Sequence, residues 1–522
     1  MTVEFQSIPA MALESARRFG SAPAVIDGEG IISFDCLAAE MLSVARGLIA
    51  RGVGKGDRVV LWAPNSARWI SSALGVLATG AWLVPLNTRF KGPEASYILR
   101  KTGAQVVLAA NGFLGGELLV TLAKTDPDLQ LRERIVIDGS ASSGVLAWEA
   151  LVEAGLSVDE SDVISRIRSI APADISDVIF TSGTTGSPKG VLLRHGDSMR
   201  AYRAYNEGFQ LHEGDRILII LPFFHCFGYK AGWMLALMSG ATTVPMAVFD
   251  PSAVLHLVEE QGITHMGGSP TIFNALLAQL DLAEFDLSSL KVASVSAAYV
   301  PVELVRRMRE ELALDYAMTG YGLTESHGIV AITYPDDPPE VVANWCGKPL
   351  AGTEVRLVDG EGNDVPVGER GEVLFRGYPV SDGYFDEPEA TAEVFQGGWL
   401  RTGDIAYANA DGYIKVCDRK KDMYVSGGFN VAPAEVEGLL QGSPKILSAA
   451  VVGVPDEYLG EVGVAFVVGV PGVEGLTAEY VVDYARKVMA NYKVPRRVEV
   501  LAEMPLNATG KVTKNELRAR LV

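Results

Sequence analysis

Residues 179–190 read I-F-T-S-G-T-T-G-S-P-K-G, and no other stretch limits so sharply what this chain can be. Ile179 and Phe180 close a strand-like run that starts at Asp177, and Val191-Leu192-Leu193 resumes the strand pattern. Between them lie Thr181, Ser182, Gly183, Thr184, Thr185 and Gly186, all small and most hydroxylated, followed by the single cation Lys189. Two glycines let the backbone turn freely, so several N–H groups can aim at one anion. The hydroxyls add donors and Lys189 adds a compact charge. Such a loop suits a polyphosphate. It is not the Walker loop, because Lys189 precedes its glycine rather than following one. A flexible linker is the bland alternative, and the bracketing strands and Pro188 argue against it.

A chain of 522 residues is expected to hold more than one domain. It is 48% hydrophobic, yet no run approaches the ~18 uninterrupted apolar residues of a membrane span. Met1–Ser7 lacks the basic-then-apolar order of a secretory signal. Cys36, Cys226, Cys346 and Cys417 are scattered without paired spacing, which suggests a reducing cytoplasm and neither a disulfide framework nor a zinc site. A net charge of −19 speaks against nucleic acid or an anionic membrane as the main partner. That charge is uneven: residues 423–522 carry ten Lys/Arg against eleven Asp/Glu, so nearly all of the excess lies before them. A polyanion meets less repulsion at the C-terminal part.

Residues 1–175 alternate helix and strand patterns: helices at Met11–Phe19, Phe34–Arg51 and Ala67–Gly80, strands at Asp57–Trp62 and Trp82–Pro85. Such alternation predicts an α/β domain with mostly parallel sheets. Arg216–Gly228 reads as a strand and turn that places Phe224, His225 and Gly228 at its end. A lone histidine there is often a satisfied core side chain. Lys230 is out of place in so apolar a stretch; its expected explanation is a stem on the surface with the amine in water. Residues 356–377 read as β-rich, and residues 423–522 as a small α+β module.

Tyr316–Ser326, Y-A-M-T-G-Y-G-L-T-E-S, is the second strong signal. Gly320 and Gly322 flank Tyr321, so its ring can lie on a flat ligand while the backbone stays close. Glu325 is a hard oxygen donor suited to Mg²⁺ and Thr324 a phosphate donor, although Thr-Glu-Ser can also simply cap a helix. Leu400–Asp404, Asp418–Asp422, Ser426–Asn430 and Thr509-Gly510-Lys511 would each pass alone for polar surface turns.

Taken together and in order, these strings resemble the AMP-forming adenylating superfamily of acyl-CoA synthetases, peptide-synthetase adenylation domains and luciferases. The resemblance spans nearly the whole chain. It implies an acyl-CoA synthetase fold: a large N-terminal AMP-binding domain at 1–417 made of α/β subdomains with a small β-barrel-like part, a hinge at 418–422 with Lys421 as pivot, and a small mobile α+β domain at 423–522. The implied reaction joins a carboxylic acid to the α-phosphorus of Mg·ATP, giving acyl-AMP and pyrophosphate, and then passes the acyl group to CoA.

The resemblance also implies roles. Thr181–Gly186, Lys189, Ser296, Ala297, Ala298, Thr319, Gly320, Tyr321, Gly322 and Thr324 surround the nucleotide, and Asp404 and Arg419 reach its ribose. Glu325 and Thr184 hold Mg²⁺, and Lys511 bridges carboxylate and α-phosphate as the principal catalytic residue, with Glu325, Thr184 and His225 beside it. Phe224, His225, Gly228, Lys230, Gly320 and Gly322 form the acyl pocket, and Ser426, Gly427, Gly428 and Phe429 border the pantetheine channel. Several strings look most like CoA ligases for polycyclic acids such as steroid-ring fragments or diterpenoids.

Rival readings are an enzyme that loads a carrier protein and a nucleotide- or acyl-binding protein without turnover. A third comes from a departure: where relatives carry a Gly-Ala or Gly-Gly turn, this chain has Ser296-Ala297-Ala298, whose Cβ atoms would displace ATP. That would leave a thioester-forming enzyme fed with acyl-AMP by a partner adenylating enzyme. A homodimer is also compatible with the sequence.

Overall fold

The computed structural model describes residues 5–181, 188–296, 300–420, 422–427, 429–507 and 510–521. Two seven-stranded sheets form the bulk of the chain. The first runs, edge to edge, Leu146–Ala147, Glu133–Asp138, Val106–Ala110, Arg58–Trp62, Trp82–Pro85, Ile175–Thr181 and Lys189–Arg194. Its strands are parallel until the last pair, where Ile175–Thr181 turns back as Lys189–Arg194. The second runs Tyr316–Met318, Val292–Val295, His265–Gly268, Arg216–Ile219, Thr242–Pro245, Pro23–Asp27 and Gly30–Ser33, parallel except for its final hairpin.

Strands buried on both faces need continuous apolar runs, and Val106–Ala110 is buried at every position. Helix Ala67–Ala78 is buried along nearly its whole length, as expected of a helix apolar on every side. Ser66 caps it by accepting from Trp69 N–H at 3.1 Å. Gly75 lets it approach helix Phe34–Ala50, since a Cβ there would fall 2.4 Å from Val44 Cγ1.

Beyond residue 350 the chain turns antiparallel. Thr353–Val358, Gly371–Gly377, Trp399–Ala408 and Ile414–Arg419 form a small curled sheet with Phe395–Gln396 at its side. The last sheet joins Tyr424–Ser426, Phe429–Val431, Gly460–Gly469, Ile446–Asp456 and Arg497–Leu501, with helices Pro433–Gln441, Ala478–Val488 and Lys514–Ala519. This order, two α/β sheets, a small antiparallel sheet and a C-terminal α+β sheet, is the one expected from the sequence. The change of sheet falls between Arg419 and Tyr424; Lys421 lies outside the described residues.

One element differs from its expectation. After Arg216–Ile219 the chain does not simply turn but enters a π-helical segment, Phe227–Met234, continued by helix Leu235–Ser239. Its entry is fixed by Tyr229 N–H, which donates to His225 O at 3.0 Å. An apolar run this short does not reveal its helical period.

Candidate active site

The phosphate-loop hairpin sits at the edge of the first sheet, with Thr181 paired across it to Lys189. Ser182, Gly183, Thr184, Thr185 and Gly186 lie outside the described residues. Beside the hairpin, Val191 bridges to Tyr384, which brings a residue from the far side of the sequence against the loop's exit strand. Tyr384 O–H donates to Glu325 Oε1 at 2.8 Å, and Lys189 Nζ stands 5.2 Å from the centroid of the same ring. Glu325 is further fixed by its backbone carbonyl, which accepts from Ser381 N–H at 2.8 Å. Burial, with the neighbouring Glu325 charge, keeps the Tyr384 phenol protonated at any physiological pH.

A second group gathers on the curled sheet. Asp404 and Arg419 are cross-strand partners, so their side chains meet on one face, with Arg419 Nε 3.1 Å from Asp404 Oδ1. The other carboxylate oxygen accepts from the Tyr321 hydroxyl. Asp404 thus ties the Gly320–Tyr321 strand to the last strand before the C-terminal sheet. Burial and the Asp404 charge hold the Tyr321 phenol well above its ordinary range.

Lys511 completes the group from the C-terminal end. Leu506 and Val512 bridge to close a tight loop, Asn507 N–H donates to Lys511 O at 2.7 Å, and Asn507 Oδ1 accepts from Lys511 N–H at 2.9 Å. Gly510 adopts φ +77°, and a Cβ there would fall 2.8 Å from Ser269 Oγ, so the loop lies against the second sheet's side of the cleft. Lys511 lines the cleft and is exposed to solvent there. Desolvation by the protein around its side chain, and then the nearby Arg419 charge, lower its pKa, with Asp404 opposing.

Thr181, Lys189, Phe224, His225, Thr319, Gly320, Tyr321, Gly322, Thr324, Glu325, Asp404, Arg419 and Lys511 all line one cleft of about 2140 Å³. His225 Nδ1 accepts from Phe227 N–H at 3.3 Å, which leaves the ring proton on Nε2. Burial first and the Lys511 charge second press its pKa down to about 4, so the ring is neutral at pH 7. Gly320 and Gly322 line the cleft, but the room a Cβ would need is taken by protein: Ile329 Cδ1 at 2.9 Å for Gly320 and Gly328 O at 2.3 Å for Gly322. Their smallness serves strand packing here rather than ligand approach.

Two expected pocket residues are corrected. Gly228 faces away from the cleft; a Cβ there would fall 2.3 Å from Leu221 O and Pro222 O, so the glycine serves the turn. Lys230 neither reaches water nor lines the cleft. It is fully buried, with Nζ 2.7 Å from Ser198 Oγ and 3.1 Å from Asp177 Oδ1.

Ser296 is half-buried, and its Oγ accepts from Gly320 N–H at 3.1 Å. Ala297 and Ala298 lie outside the described residues. Ser426, Gly427 and Phe429 stand off this cleft. Gly427 has φ +58° and its N–H donates to Leu459 O at 2.9 Å, while exposed Phe429 stacks on Tyr492 at 4.7 Å. Gly428 lies outside the described residues.

The sequence reading passed over Tyr384 and Asn507. Tyr384 sits in Ser-Asp-Gly-Tyr-Phe with no phosphate-like pattern, and only its bridge to Val191 brings it to Glu325. Asn507 was legible in principle, as an Asn three residues before a glycine in a short loop.

A hairpin of phosphate-loop composition, the Tyr321–Asp404–Arg419 group and a lysine from the C-terminal end share one cleft. The family described as AMP-binding enzyme matches residues 13–385, and its C-terminal domain matches residues 435–511. The chain belongs to the AMP-binding enzyme family. A 3-[(3aS,4S,7aS)-7a-methyl-1,5-dioxo-octahydro-1H-inden-4-yl]propanoyl:CoA ligase of Rhodococcus jostii (strain RHA1) is 42% identical to it over 523 residues, covering 99% of each chain. The ligase of the same name from Mycobacterium tuberculosis (strain ATCC 25618 / H37Rv) is 42% identical over 520 residues, again covering 99% of each. Among solved structures, the anthranilate CoA ligase AuaEII in complex with anthranoyl-AMP superposes with a TM-score of 0.90 at 29% identity, covering 99% of this chain and 98% of that one.

Proposed function

We propose that this AMP-binding enzyme is an AMP-forming acyl-CoA ligase for a polycyclic carboxylic acid. It makes the acyl-AMP and pyrophosphate from the acid and ATP, and then the thioester from CoA. The observation that carries this reading is the meeting of Lys511 with Asp404, Arg419 and His225 in the cleft that also holds Glu325. It is supported by the two full-length relatives, which are ligases for a fused-ring propanoate.

In this reading Asp404 and Arg419 hold the ribose and Tyr321 lies near the adenine. Lys511 places its charge between the acid carboxylate and the α-phosphate, where negative charge concentrates during attack. Little covalent work falls to protein groups, and positioning carries most of the rate. Neutral His225 and Phe224 border the acyl group. Mg²⁺ arrives with ATP: among the described residues no cluster of three His, Cys, Asp or Glu could hold a metal alone. A single fixed carboxylate, Glu325, fits the habit of Mg²⁺ of taking one or two carboxylates plus substrate phosphates.

The domains divide at 418–422, and residues 423–522 swing about Lys421 between half-reactions. Lys511 lines the cleft whereas Ser426, Gly427 and Phe429 do not, so one pose of this small domain would not present both to the same ligand. The four free cysteines and the absence, among the described residues, of a helix long and apolar enough to cross a membrane suit a cytoplasmic enzyme.

The test is a panel of acids assayed by ATP–pyrophosphate exchange and by CoA thioester formation, led by the fused-ring propanoic acid of the two relatives. Exchange and thioester with a polycyclic acid, and neither with acetate, would support the reading. Activity confined to short-chain acids would overturn the substrate class, and exchange without any thioester would overturn CoA as acceptor.

A further inference from the structure

Lys230 is the charged residue that the catalytic scheme leaves unused, and it is fully buried. Its ammonium stands 3.1 Å from Asp177 Oδ1 and 2.7 Å from Ser198 Oγ, and Asp177 too is fully buried. The second carboxylate oxygen of Asp177 accepts from Ser176 Oγ at 2.6 Å.

Three elements meet at this pair. Asp177 is on Ile175–Thr181, the strand that enters the phosphate loop, where its backbone is paired to Leu83 on one side and Leu193 on the other. Ser198 is on helix His195–Phe209, which follows directly from the strand that leaves the loop. Lys230 is on the π-helical segment, five residues after His225, which lines the acyl side of the cleft.

Buried His195 and His327 are both neutral, pressed to about 3 by burial and then by the Lys230 charge, and Asp197, next to Ser198 on the same helix, also feels that charge. His327, two residues beyond Glu325, in turn accepts from Arg194 N–H through Nε2 at 3.2 Å and donates through Nδ1 to Pro379 O at 2.6 Å. Lys230 therefore stands where the phosphate-loop strand, the Glu325 turn and the acyl-side segment are joined.

A buried ion pair is weak evidence for stability, because well-packed apolar residues can replace it without loss. What it adds is attraction between two specified points: the ammonium stands 3.1 Å from Asp177 Oδ1 while its hydrogen bond goes to Ser198 Oγ at 2.7 Å, so strand, helix and π-helical segment are held in one register that apolar packing would let slide. π-Helical segments of this kind occur often at functional sites.

We propose that Lys230 and Asp177 are a positioning pair that sets the spacing between the acyl side of the cleft and the phosphate loop. The pair thereby holds the acid carboxylate in line with the α-phosphorus of ATP. Neither residue touches a substrate. The proposal rests on the adenylating function argued above.

The test compares wild type with the double variant Lys230→Met/Asp177→Asn, which removes both charges together, and with Ser198→Ala, which keeps both charges but removes one bond to the ammonium. The probes are ATP, the fused-ring propanoic acid of the relatives and its synthetic acyl-AMP. Misplacement of reacting atoms by ~1 Å costs about a hundredfold, so a partial slip is expected to lower kcat for pyrophosphate exchange by about tenfold in the double variant. The KM for ATP should stay within about twofold, and so should CoA transfer from acyl-AMP, which no longer needs in-line attack on phosphorus. Ser198→Ala should show the same pattern at about threefold, with a melting temperature lowered by only a few degrees.

A folded double variant with wild-type exchange would overturn the proposal, as would equal losses in both half-reactions. If the double variant does not fold, an unchanged kcat in Ser198→Ala overturns it alone. Failure of the wild type to exchange with any acid would instead sink the adenylating function, which keeps the two claims separable.

Discussion

The Tyr384 hydroxyl donates to Glu325 Oε1 at 2.8 Å, and the two residues lie 59 positions apart in the chain. Glu325 is thereby aimed before any nucleotide arrives. Tyr384→Phe keeps the ring beneath Lys189 and removes only the bond. Hydrogen bonds to a charged group contribute roughly 1.5–3 kcal/mol. The Mg²⁺ concentration for half-maximal pyrophosphate exchange should therefore rise about tenfold, with CoA transfer from acyl-AMP little changed. A Mg²⁺ titration of exchange in both proteins checks this; superimposable curves would remove Tyr384 from the site.

Asp404 accepts from Tyr321 and pairs with Arg419 at 3.1 Å. Asp404→Ala unties both and leaves the Arg419 charge without its carboxylate. AMP affinity, measured by calorimetry, should fall by about 10–100-fold, the loss expected when a charged hydrogen-bonding group is removed. A change below about twofold would mean that Asp404 only braces the curled sheet.

The pKa of Lys511 is lowered by desolvation and by the Arg419 charge. The ammonium form is the one that neutralises phosphate and carboxylate, so activity should fall as pH rises through that lowered pKa. For adenylation, kcat/KM reports ionisations of the free enzyme and should show this alkaline limb. Lys511→Arg, whose guanidinium stays charged, should lose the limb even where its rate is reduced. A limb that persists in the Arg variant would assign it elsewhere.

His225 has a pKa of about 4 in the folded protein because burial disfavours its charged form. In the unfolded chain a histidine takes its proton near pH 6.5. The folded state is therefore penalised as pH falls from about 6.5 towards 4, and the penalty is absent above 6.5. His225→Phe should gain melting temperature relative to wild type at pH 5 compared with pH 8. Its activity profile between about pH 6 and 8 should keep the wild-type shape, since the ring is already neutral there. A ring that titrates near neutrality in an NMR experiment would contradict both expectations.

Much of this was legible before any coordinates. The alternation of strand and helix up to residue 175 comes through because buried parallel strands and amphipathic helices have different periods, and strand Trp82–Pro85 and helix Ala67–Ala78 fall where the pattern places them. The motif residues Tyr321, Asp404 and Lys511 were legible as strings and are brought to one cleft. What failed was the meaning of single residues in apolar runs. Lys230 reads as snorkelling because its partner, Asp177, lies 53 positions earlier and looks like an ordinary strand start. Gly320 and Gly322 read as glycines that let the backbone stay close to a ligand, whereas what presses on each is a neighbouring piece of the protein. Burial by a distant element leaves no local mark in sequence.

In the proposed mechanism Lys511 serves the first half-reaction from one pose of the C-terminal domain. The direct measurement sets pyrophosphate exchange with the cognate acid beside CoA transfer from synthetic acyl-AMP, in wild type and Lys511→Ala. Exchange should fall by at least ~100-fold, the scale of losing a charged donor from the cleft, while transfer stays within about threefold. A comparable collapse of both steps, or brisk exchange in Lys511→Ala, would contradict it.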